Sequence, residues 1–319
     1  MTVFSGRRGP FPFTRRETRT ALLVATLAAS SLSGMVATAG TASAAGPCST
    51  WSPSSSDTAA ALGSSGSSSG SSAPSWLKGI PGGMPSLTGN TTAMHILTGP
   101  NGPDQLSNFG LASTDLGFMW DAGDGRTLAV FGDSFSCGPG GDGWHSNAIF
   151  ESDDRDPSNG IHLTRPVNGD RSDEFLPRSL KIDGVEMTII PTSGIAIDGV
   201  QYVDFMSVKK WGTPGNWTTN YAATAKSTDG GKTWTVMEGS KRTNTNPSTS
   251  DRLPTLPDHV SGAENFQMTA FAAPPADSND PYVYVYGTPN GRAGQARLAR
   301  FPKESFALFP GAEIGRAHV

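Results

Sequence analysis

The sequence predicts an all-β fold, and three observations lead to that class. Short apolar or alternating runs, such as those at 126–132 and 201–208, recur between turn signals. Turn dipeptides such as Asp198-Gly199 separate these runs and favour tight hairpins. No stretch after residue 90 shows sustained helical periodicity. Further strand-like runs lie at 94–97, 147–152, 185–191, 220–227, 267–273 and 282–287.

One local motif favours a propeller over a sandwich. Residues 227–234 read STDGGKTW, which resembles the Asp-box hairpin of sialidases and related propellers. We expect Asp229 to cap the turn amides, Gly231 to take a positive φ and Trp234 to pack beneath the hairpin. The folded segment, residues 88–312, has room for four to five blades of four strands each.

The chain begins with the features of a secretory signal peptide over residues 1–45. Arg15 and Arg16 belong to a basic head, a weakly apolar middle follows, and Ala42-Ser43-Ala44 resembles a cleavage site. A membrane anchor fits less well because the middle is rich in Ala, Ser, Thr and Gly. We therefore expect a secreted or cell-wall-associated protein with no membrane insertion after cleavage, and both Sec and twin-arginine export stay open.

Two further segments lie outside the predicted folded domain. Residues 46–87 are dominated by Ser, Gly, Ala and Pro, which predicts a disordered linker. Residues 313–319 read EIGRAHV, which looks like a translated sequencing adapter. We expect the native protein to continue past about residue 312, so that the last blade is incomplete in this chain.

Composition limits the cofactors and partners. Cys48 and Cys137, the two cysteines, form either one disulfide or two thiols, and they exclude a cysteine-based zinc framework. The net charge of −4, without a basic run after the leader, argues against nucleic acid. We predict a monomer without a cofactor. The acidic turn at 153–156 is predicted to be a solvated loop, with structural calcium as the alternative.

The run LAVFGDSFSCG at 128–138 carries the most chemistry. Its Gly-Asp-Ser is similar to the first block of GDSL esterases, in which Ser134 would be the nucleophile. That fold needs crossover helices and a G-x-N-D segment, and neither is evident. A D-x-x-H match at 142–145 lies only a few residues past the serine. The esterase is therefore a remote alternative.

A second interpretation of this run pairs Asp133 with Asp115. Asp115 ends one strand-like segment, Asp124-Gly125 makes the turn, and Asp133 ends the returning strand. The start of one hairpin strand lies beside the end of the next, so both carboxylates are expected at one end of a blade. Two carboxylates at a funnel mouth can act as acid and base on a glycosidic bond. A pair of turn caps is the alternative from spacing alone.

An ordered series of motifs resembles one family across the whole folded segment. These motifs are TDLGFMWD, FGDSF, WHSN, IIPTSGI, FMSVKKWGTPGNWTTNYA, ENFQM and YGTPNGRAG. They are similar to the domain of unknown function 4185 family, which is linked to glycoside hydrolase family 183, the endo-D-arabinanases. The resemblance implies a five-bladed β-propeller that cleaves α-D-arabinofuranosyl linkages in cell-wall arabinan. It also implies that the acidic pair falls on Asp115 and Asp133, with inversion of configuration.

Other polar and aromatic residues are candidates for binding the polysaccharide. Trp211 and Trp217 offer either sugar-stacking faces or core packing. The predicted substrate-binding residues are Trp144, His145, Asn147, Asn220, Tyr221, Glu264, Gln267 and Arg292. The sequence thus predicts a secreted arabinan hydrolase whose two aspartates are unassigned as acid and base. A non-catalytic carbohydrate-binding propeller of the cell envelope is the alternative.

Overall fold

The computed structural model describes residues 88–94, 97–98, 104, 106–136, 143–245, 253, 256–275 and 278–306, with the backbone of 313–315. These residues belong to one compact unit, Ala44–Val319. The predicted leader, the linker, both cysteines and the tail after 315 lie outside the described residues. Among those described, no helix has the length and apolar character needed to cross a membrane.

Fifteen strands and four short 3-10 helices make up the described fold. The strands are β1 Ser113–Thr114, β2 Phe118–Asp121, β3 Thr127–Phe131, β4 Ser134–Phe135, β5 Ala148–Ser152, β6 Arg165–Pro166, β7 Thr188–Ile197, β8 Val200–Trp211, β9 Trp217–Ser227, β10 Thr235–Val236, β11 Arg242–Thr243, β12 Met268–Ala272, β13 Tyr282–Thr288, β14 Arg297–Pro302 and β15 Glu313–Gly315. The 3-10 helices are Leu106–Phe109, Glu238–Ser240, Ala263–Phe266 and Lys303–Ser305.

The strands form three antiparallel sheets and one short ribbon. Sheet 1 has the order β2-β3-β5-β6, sheet 2 the order β7-β8-β9-β10, and sheet 3 the order β12-β13-β14-β15. The ribbon pairs β1 with β4, and β11 adds to β9. No α-helix occurs in the part of the chain that the structure describes. The all-β prediction is confirmed, and closure into a five-bladed propeller stays a prediction.

Two predicted turns form by the expected local chemistry. Asp198 and Gly199 take φ values of 50° and 80° between the paired residues Ile197 and Val200, as a two-residue hairpin requires. At the β9–β10 turn, the Asp229 carboxylate accepts hydrogen bonds from the Thr233 amide at 3.0 Å and its hydroxyl at 2.6 Å. These bonds, with the Thr233 hydroxyl foremost, lower the pKa of Asp229 to about 2.

The same turn is tied to sheet 1 by close packing. Gly231 has φ +94°, and a Cβ added there would meet Val167 at 3.2 Å and Leu128 at 3.4 Å. Trp234 packs against the core between sheets 1 and 2, and its ring meets Phe175 edge-on at 5.4 Å. A glycine therefore allows the turn to lie flat against its neighbour.

Sheet 2 is buried on both faces, which determines where the functional residues can lie. One face packs on sheet 1, where a Cβ added at Gly194 would lie 2.4 Å from the Trp120 ring. The other face packs on sheet 3 through Ile195 and Ile197 against Val283 and its neighbours. Its strands β8 and β9 are accordingly buried over long stretches instead of alternating between buried and exposed residues. Solvent reaches this sheet mainly at its ends.

A buried ion pair joins sheets 2 and 3. Asp204 is fully buried and accepts hydrogen bonds from Arg242 at 2.6 Å, Thr224 at 2.7 Å and Thr269 at 2.7 Å. Arg242 is itself buried and donates to the carbonyls of Phe266 and Ser240. Because both charges are paired and hydrogen-bonded, this cluster is a structural connection between the sheets.

Candidate active site

The β1–β4 ribbon brings Asp115 and Asp133 side by side. Thr114 pairs with Ser134, and the Asp115 amide donates to the Asp133 carbonyl at 2.8 Å. The Gly132 amide donates in turn to the Asp115 carbonyl at 2.9 Å. Asp115 precedes β2 and Asp133 follows β3, so the hairpin places both carboxylates at one end of sheet 1. The adjacency expected from the hairpin is therefore present.

Asp133 is held by two donors on a single carboxylate oxygen. Its Oδ1 accepts hydrogen bonds from Trp144 Nε1 at 2.9 Å and from Thr188 Oγ1 at 2.6 Å. Burial raises the pKa of Asp133 to about 6, against the lowering effect of the Thr188 and Trp144 hydrogen bonds. The nearby Asp115 charge also raises this pKa, and Lys181 lowers it. Near neutral pH this carboxyl can hold or release a proton.

Asp115 has a more open environment. The residue is exposed, and its Oδ1 accepts a hydrogen bond from the Leu116 amide at 2.8 Å. Desolvation raises the pKa of Asp115, while the Leu116 hydrogen bond and the Arg292 charge lower it. Leu116 has φ +54°, a left-handed conformation that is costly for leucine. This backbone geometry presents the Leu116 N–H to the carboxylate.

The structure contradicts a nucleophilic role for Ser134. Its side chain is fully buried, and its hydroxyl donates to the Gly132 carbonyl at 2.8 Å. Its backbone exchanges two hydrogen bonds with His145 at 2.8 Å each. A hydroxyl without solvent access cannot attack an ester, and the described fold has none of the crossover helices of an esterase. The serine instead fixes the loop that presents Asp133.

Trp144 is the substrate-binding candidate that most clearly reaches the acidic pair. Besides its hydrogen bond to Asp133, its ring stacks on Phe135 with centroids 6.4 Å apart. His145 follows it and is half-buried. Burial lowers the pKa of His145, which favours a neutral imidazole.

Asn147 and Gln267 were predicted to bind the sugar, but both side chains lie in the protein interior, so those predictions are wrong. Asn147 is fully buried, donates to the Ile189 carbonyl at 3.1 Å and accepts from two backbone amides. Gln267 is fully buried, accepts from Thr219 at 2.8 Å and donates to the carbonyls of Arg242 and Ala263. Each amide satisfies backbone groups between packed elements, so a substrate hydroxyl has no access to it.

Asn220 and Tyr221 are also internal, contrary to the prediction. Asn220 Nδ2 donates to the Val185 carbonyl at 2.9 Å and to the Ser207 hydroxyl at 3.1 Å. Tyr221 packs edge-on against Phe205, and burial raises the pKa of its hydroxyl. Both residues lie in β9, whose two faces are covered by sheets 1 and 3. Polarity in a sequence run does not indicate exposure in a sheet buried on both sides.

Glu264 and Arg292 differ in their relation to the acidic pair. Glu264 accepts from the Gly262 amide at 2.8 Å and lies 3.3 Å from His259 Nε2, so these contacts stabilise its own 3-10 helix. They give no support to a third carboxylate beside the pair. The Arg292 amide donates to the Gly215 carbonyl at 2.9 Å, and its charge acts on Asp115. Arg292 therefore stays a candidate for contacting substrate.

Sequence reasoning missed Thr188 and Lys181. Thr188 is the first residue of β7, and Lys181 lies in the loop before it, with its Nζ bonded to the Trp144 carbonyl. Both lie far along the chain from Asp133, Thr188 in sheet 2 and Lys181 in the loop before it, so no local spacing could reveal them. A lysine with φ +55° is unusual, but this conformation is visible only in the structure.

The acidic turn at 153–156 is occupied by turn hydrogen bonds. Asp154 accepts from the amides of Asp156 at 2.9 Å and His162 at 3.2 Å, and Asp156 accepts from Ser158 at 3.0 Å. No group of three or more His, Cys, Asp or Glu side chains in the described ranges is placed to hold a metal ion. These acids serve as turn caps.

Comparison with known proteins places this chain in a family. The model of the domain of unknown function 4185 family matches residues 101–313, which is more than half of the chain. The chain therefore belongs to this family, as its motifs predicted, and the matched segment includes both aspartates of the pair.

Two curated fungal proteins show partial similarity. Notoamide biosynthesis cluster protein J of Aspergillus sp. (strain MF297-2) is 30% identical over 143 residues, covering 38% of this chain and 36% of that protein. Protein J' of Aspergillus versicolor is 30% identical over 146 residues with the same coverage. The chain thus spans about a third of the length of these relatives.

Two solved structures are distant. A presumed hydrolase from Bacteroides ovatus ATCC 8483 has a TM-score of 0.37 at 11% identity, covering 62% of this chain and 50% of that protein. A complex of BT0996 with RGII has a TM-score of 0.33 at 10% identity, covering 66% of this chain and 60% of that protein. Likenesses this weak carry no argument about activity.

Proposed function

We propose that this protein is a secreted glycoside hydrolase that cleaves α-D-arabinofuranosyl linkages in cell-wall D-arabinan, endo-acting and with inversion. The observation that carries the proposal is the pair of adjacent carboxylates at one end of sheet 1, in two different environments. The motif resemblance to the endo-D-arabinanases suggests the substrate class.

The two environments suggest separate roles. Both donors of Asp133 are on Oδ1, which leaves Oδ2 to carry a proton, and burial favours that protonated form. Asp133 is the proposed acid, giving its proton to the glycosidic oxygen as the C1–O bond breaks. Asp115 is open to solvent and near Arg292, so it is the proposed base. It removes a proton from the water that attacks C1 from the opposite face.

The propeller architecture belongs to the same proposal. Sheets 1 and 3 are four-stranded antiparallel meanders in chain order, and β7 to β10 of the five-stranded sheet 2 follow the same order, as the strands of successive blades do. In sheet 3, Val283 and Val285 face sheet 2, whereas Tyr282, Tyr284 and Tyr286 lie on the opposite face. Apolar and aromatic residues on both faces are typical of a sheet that packs on both sides. A further blade against the tyrosine face accounts for this pattern.

Product analysis on purified D-arabinan tests the activity. Wild-type protein should release oligosaccharides, and Asp133→Asn should reduce the rate by about a thousandfold because the leaving oxygen is no longer protonated. Asp183→Asn changes an exposed acid, 63% accessible, in the loop before β7 and serves as the matched control with unchanged rate. An equal rate for Asp133→Asn and wild type would reject the site.

A carbohydrate-binding protein without activity is the second candidate. Trp211 is 39% exposed at the end of β8 and is braced edge-on by Trp217 at 5.6 Å, which suits sugar stacking. Binding of D-arabinan by wild-type protein, with no oligosaccharide released over prolonged incubation, would favour this candidate over the enzyme.

A further inference from the structure

Lys181 makes three contacts that converge on Trp144. Its ammonium donates to the Trp144 carbonyl, lies 4.8 Å from the centroid of the Trp144 ring, and sits 3.3 Å from Glu174 Oε1. The ring is stacked on Phe135. Backbone and ring of the tryptophan are therefore both held, and the indole N–H is fixed on Asp133 Oδ1 at 2.9 Å.

Glu174 anchors the lysine in turn. Its side chain is only 6% exposed, and its Oε1 also accepts a hydrogen bond from the Ser146 amide at 2.7 Å. The Lys181–Glu174 pair thus differs from an ordinary surface ion pair, because one partner is buried and bonded to the strand-entry loop that carries Trp144.

The backbone conformation of Lys181 is also unusual. Among the described residues, three that are not glycine have positive φ: Leu116, Lys181 and Asp198. Asp198 lies in a hairpin turn, where this conformation is expected. Leu116 instead donates its amide to Asp115, and Lys181 donates to Trp144, which is hydrogen-bonded to Asp133. Left-handed backbone is unfavourable at a residue other than glycine and is often retained at functional sites.

We propose that Lys181 is a positioning residue for Asp133: by holding the carbonyl and the ring of Trp144, it fixes the indole N–H that donates to the Asp133 carboxylate. This inference rests on the proposed function for its catalytic consequence. The charged groups acting on Asp133 are Asp115, which favours protonation, and Lys181, which opposes it. Trp144 and Thr188 add neutral donors. Those acting on Lys181 include Glu174.

Lys181→Met removes the ammonium but keeps an unbranched side chain of similar length. Methionine at this position has a similar conformational cost at positive φ. We expect the pKa of Asp133 to rise, since burial and Asp115 then act without the opposing charge, and the Trp144 indole N–H resonance to broaden or shift. The measurement is carboxyl ¹³C and indole ¹⁵N NMR over pH 3–9, which needs no turnover. Lys210→Met is the matched control, because Lys210 is 62% exposed and lies 3.9 Å from Asp183.

Two further variants keep the proposal open to refutation. Lys181→Arg retains the charge and should keep the Asp133 midpoint near that of wild type. If Lys181→Met does not fold, Glu174→Gln keeps an acceptor for the Ser146 amide but releases the lysine, and should disturb the indole signal in the same direction. A wild-type Asp133 midpoint and a wild-type Trp144 indole signal in Lys181→Met would overturn the proposal. If Lys181→Met does not fold, an unchanged indole signal in Glu174→Gln would overturn it.

Activity separates this inference from the proposed function. On D-arabinan, Lys181→Met should lower kcat roughly ten- to a hundredfold with little change in KM, and move the basic limb of the pH profile upward. If wild-type protein shows no hydrolysis, the proposed function fails, while the NMR titration still decides whether Lys181 positions Asp133.

Discussion

Asp204 is fully buried and Asp133 is half-buried, and their carboxylates have opposite environments. Asp204 is surrounded by Arg242 and two hydroxyls, which use both of its oxygens. Asp133 has two neutral donors on one oxygen, and its pKa is raised to about 6. The comparison suggests how to distinguish the roles: a structural carboxylate is neutralised and satisfied, whereas a proton-transferring one keeps an oxygen available.

The largest expected effect is a loss of stability on substitution of Asp204. Asp204→Asn leaves Arg242 buried without its counter-charge, which should lower the free energy of unfolding by about 3–5 kcal/mol. Urea unfolding followed by tryptophan fluorescence measures this change. A loss below about 1 kcal/mol would mean that the Asp204 cluster contributes little to joining sheets 2 and 3.

The same substitution at Asp133 should have the opposite sign. The folded pKa of about 6 lies above the ordinary value of 3.8, so ionisation opposes folding, and the stability present below pH 3.8 is lost as pH rises through 6. Asp133→Asn removes this cost and still accepts from Trp144 and Thr188. At pH 7.5 it should stabilise the protein by about 1–2 kcal/mol, and the gain should vanish near pH 3.5. If Asp133→Asn were less stable than wild type at pH 7.5, the claim that ionisation of Asp133 opposes folding would be contradicted.

The pH dependence of catalysis should follow from the two sets of contacts. Above pH 6 the acid Asp133 loses its proton, so kcat/KM on D-arabinan should fall by roughly tenfold per pH unit. On the acidic side, activity should fall as Asp115 becomes protonated, at a pH above that of an ordinary aspartate. A rate that is flat from pH 5 to 8 would exclude Asp133 as the acid.

The smallest effect concerns Asp229, a carboxylate with only a local role. Asp229→Ala removes the caps on Thr233 and should cost about 1 kcal/mol at neutral pH without altering turnover. Its pKa of about 2 means that the contribution is present above pH 3.8 and is lost as pH falls through 2. Thermal unfolding at pH 7 and at pH 2 measures both values. A reduced kcat would show that this turn reaches the site.

Local chemistry is what the sequence predicts well here. The Asp198-Gly199 hairpin, the Asp229 cap and the adjacency of Asp115 and Asp133 all follow from residues close together in one strand pair. Family membership was likewise predicted from motifs and is confirmed.

The remaining site residues could not be predicted because their roles depend on packing between sheets. Asn147, Asn220 and Gln267 looked available because they are polar, but each serves backbone groups of another element. Lys181 and Thr188 meet Trp144 and Asp133 only through the tertiary fold, across 37 and 55 residues of sequence. Side chains that join distant elements leave no periodic signal, so their roles had to come from the structure.

The central claim is that Asp133 supplies a proton to the leaving oxygen while Asp115 activates water. The most direct measurement compares Asp133→Asn with wild type on D-arabinan and on a nitrophenyl α-D-arabinofuranoside, whose leaving group needs no proton. We predict a loss of about a thousandfold on arabinan and of less than about tenfold on the nitrophenyl substrate. Equal losses on both substrates, or no loss on arabinan, would contradict the account.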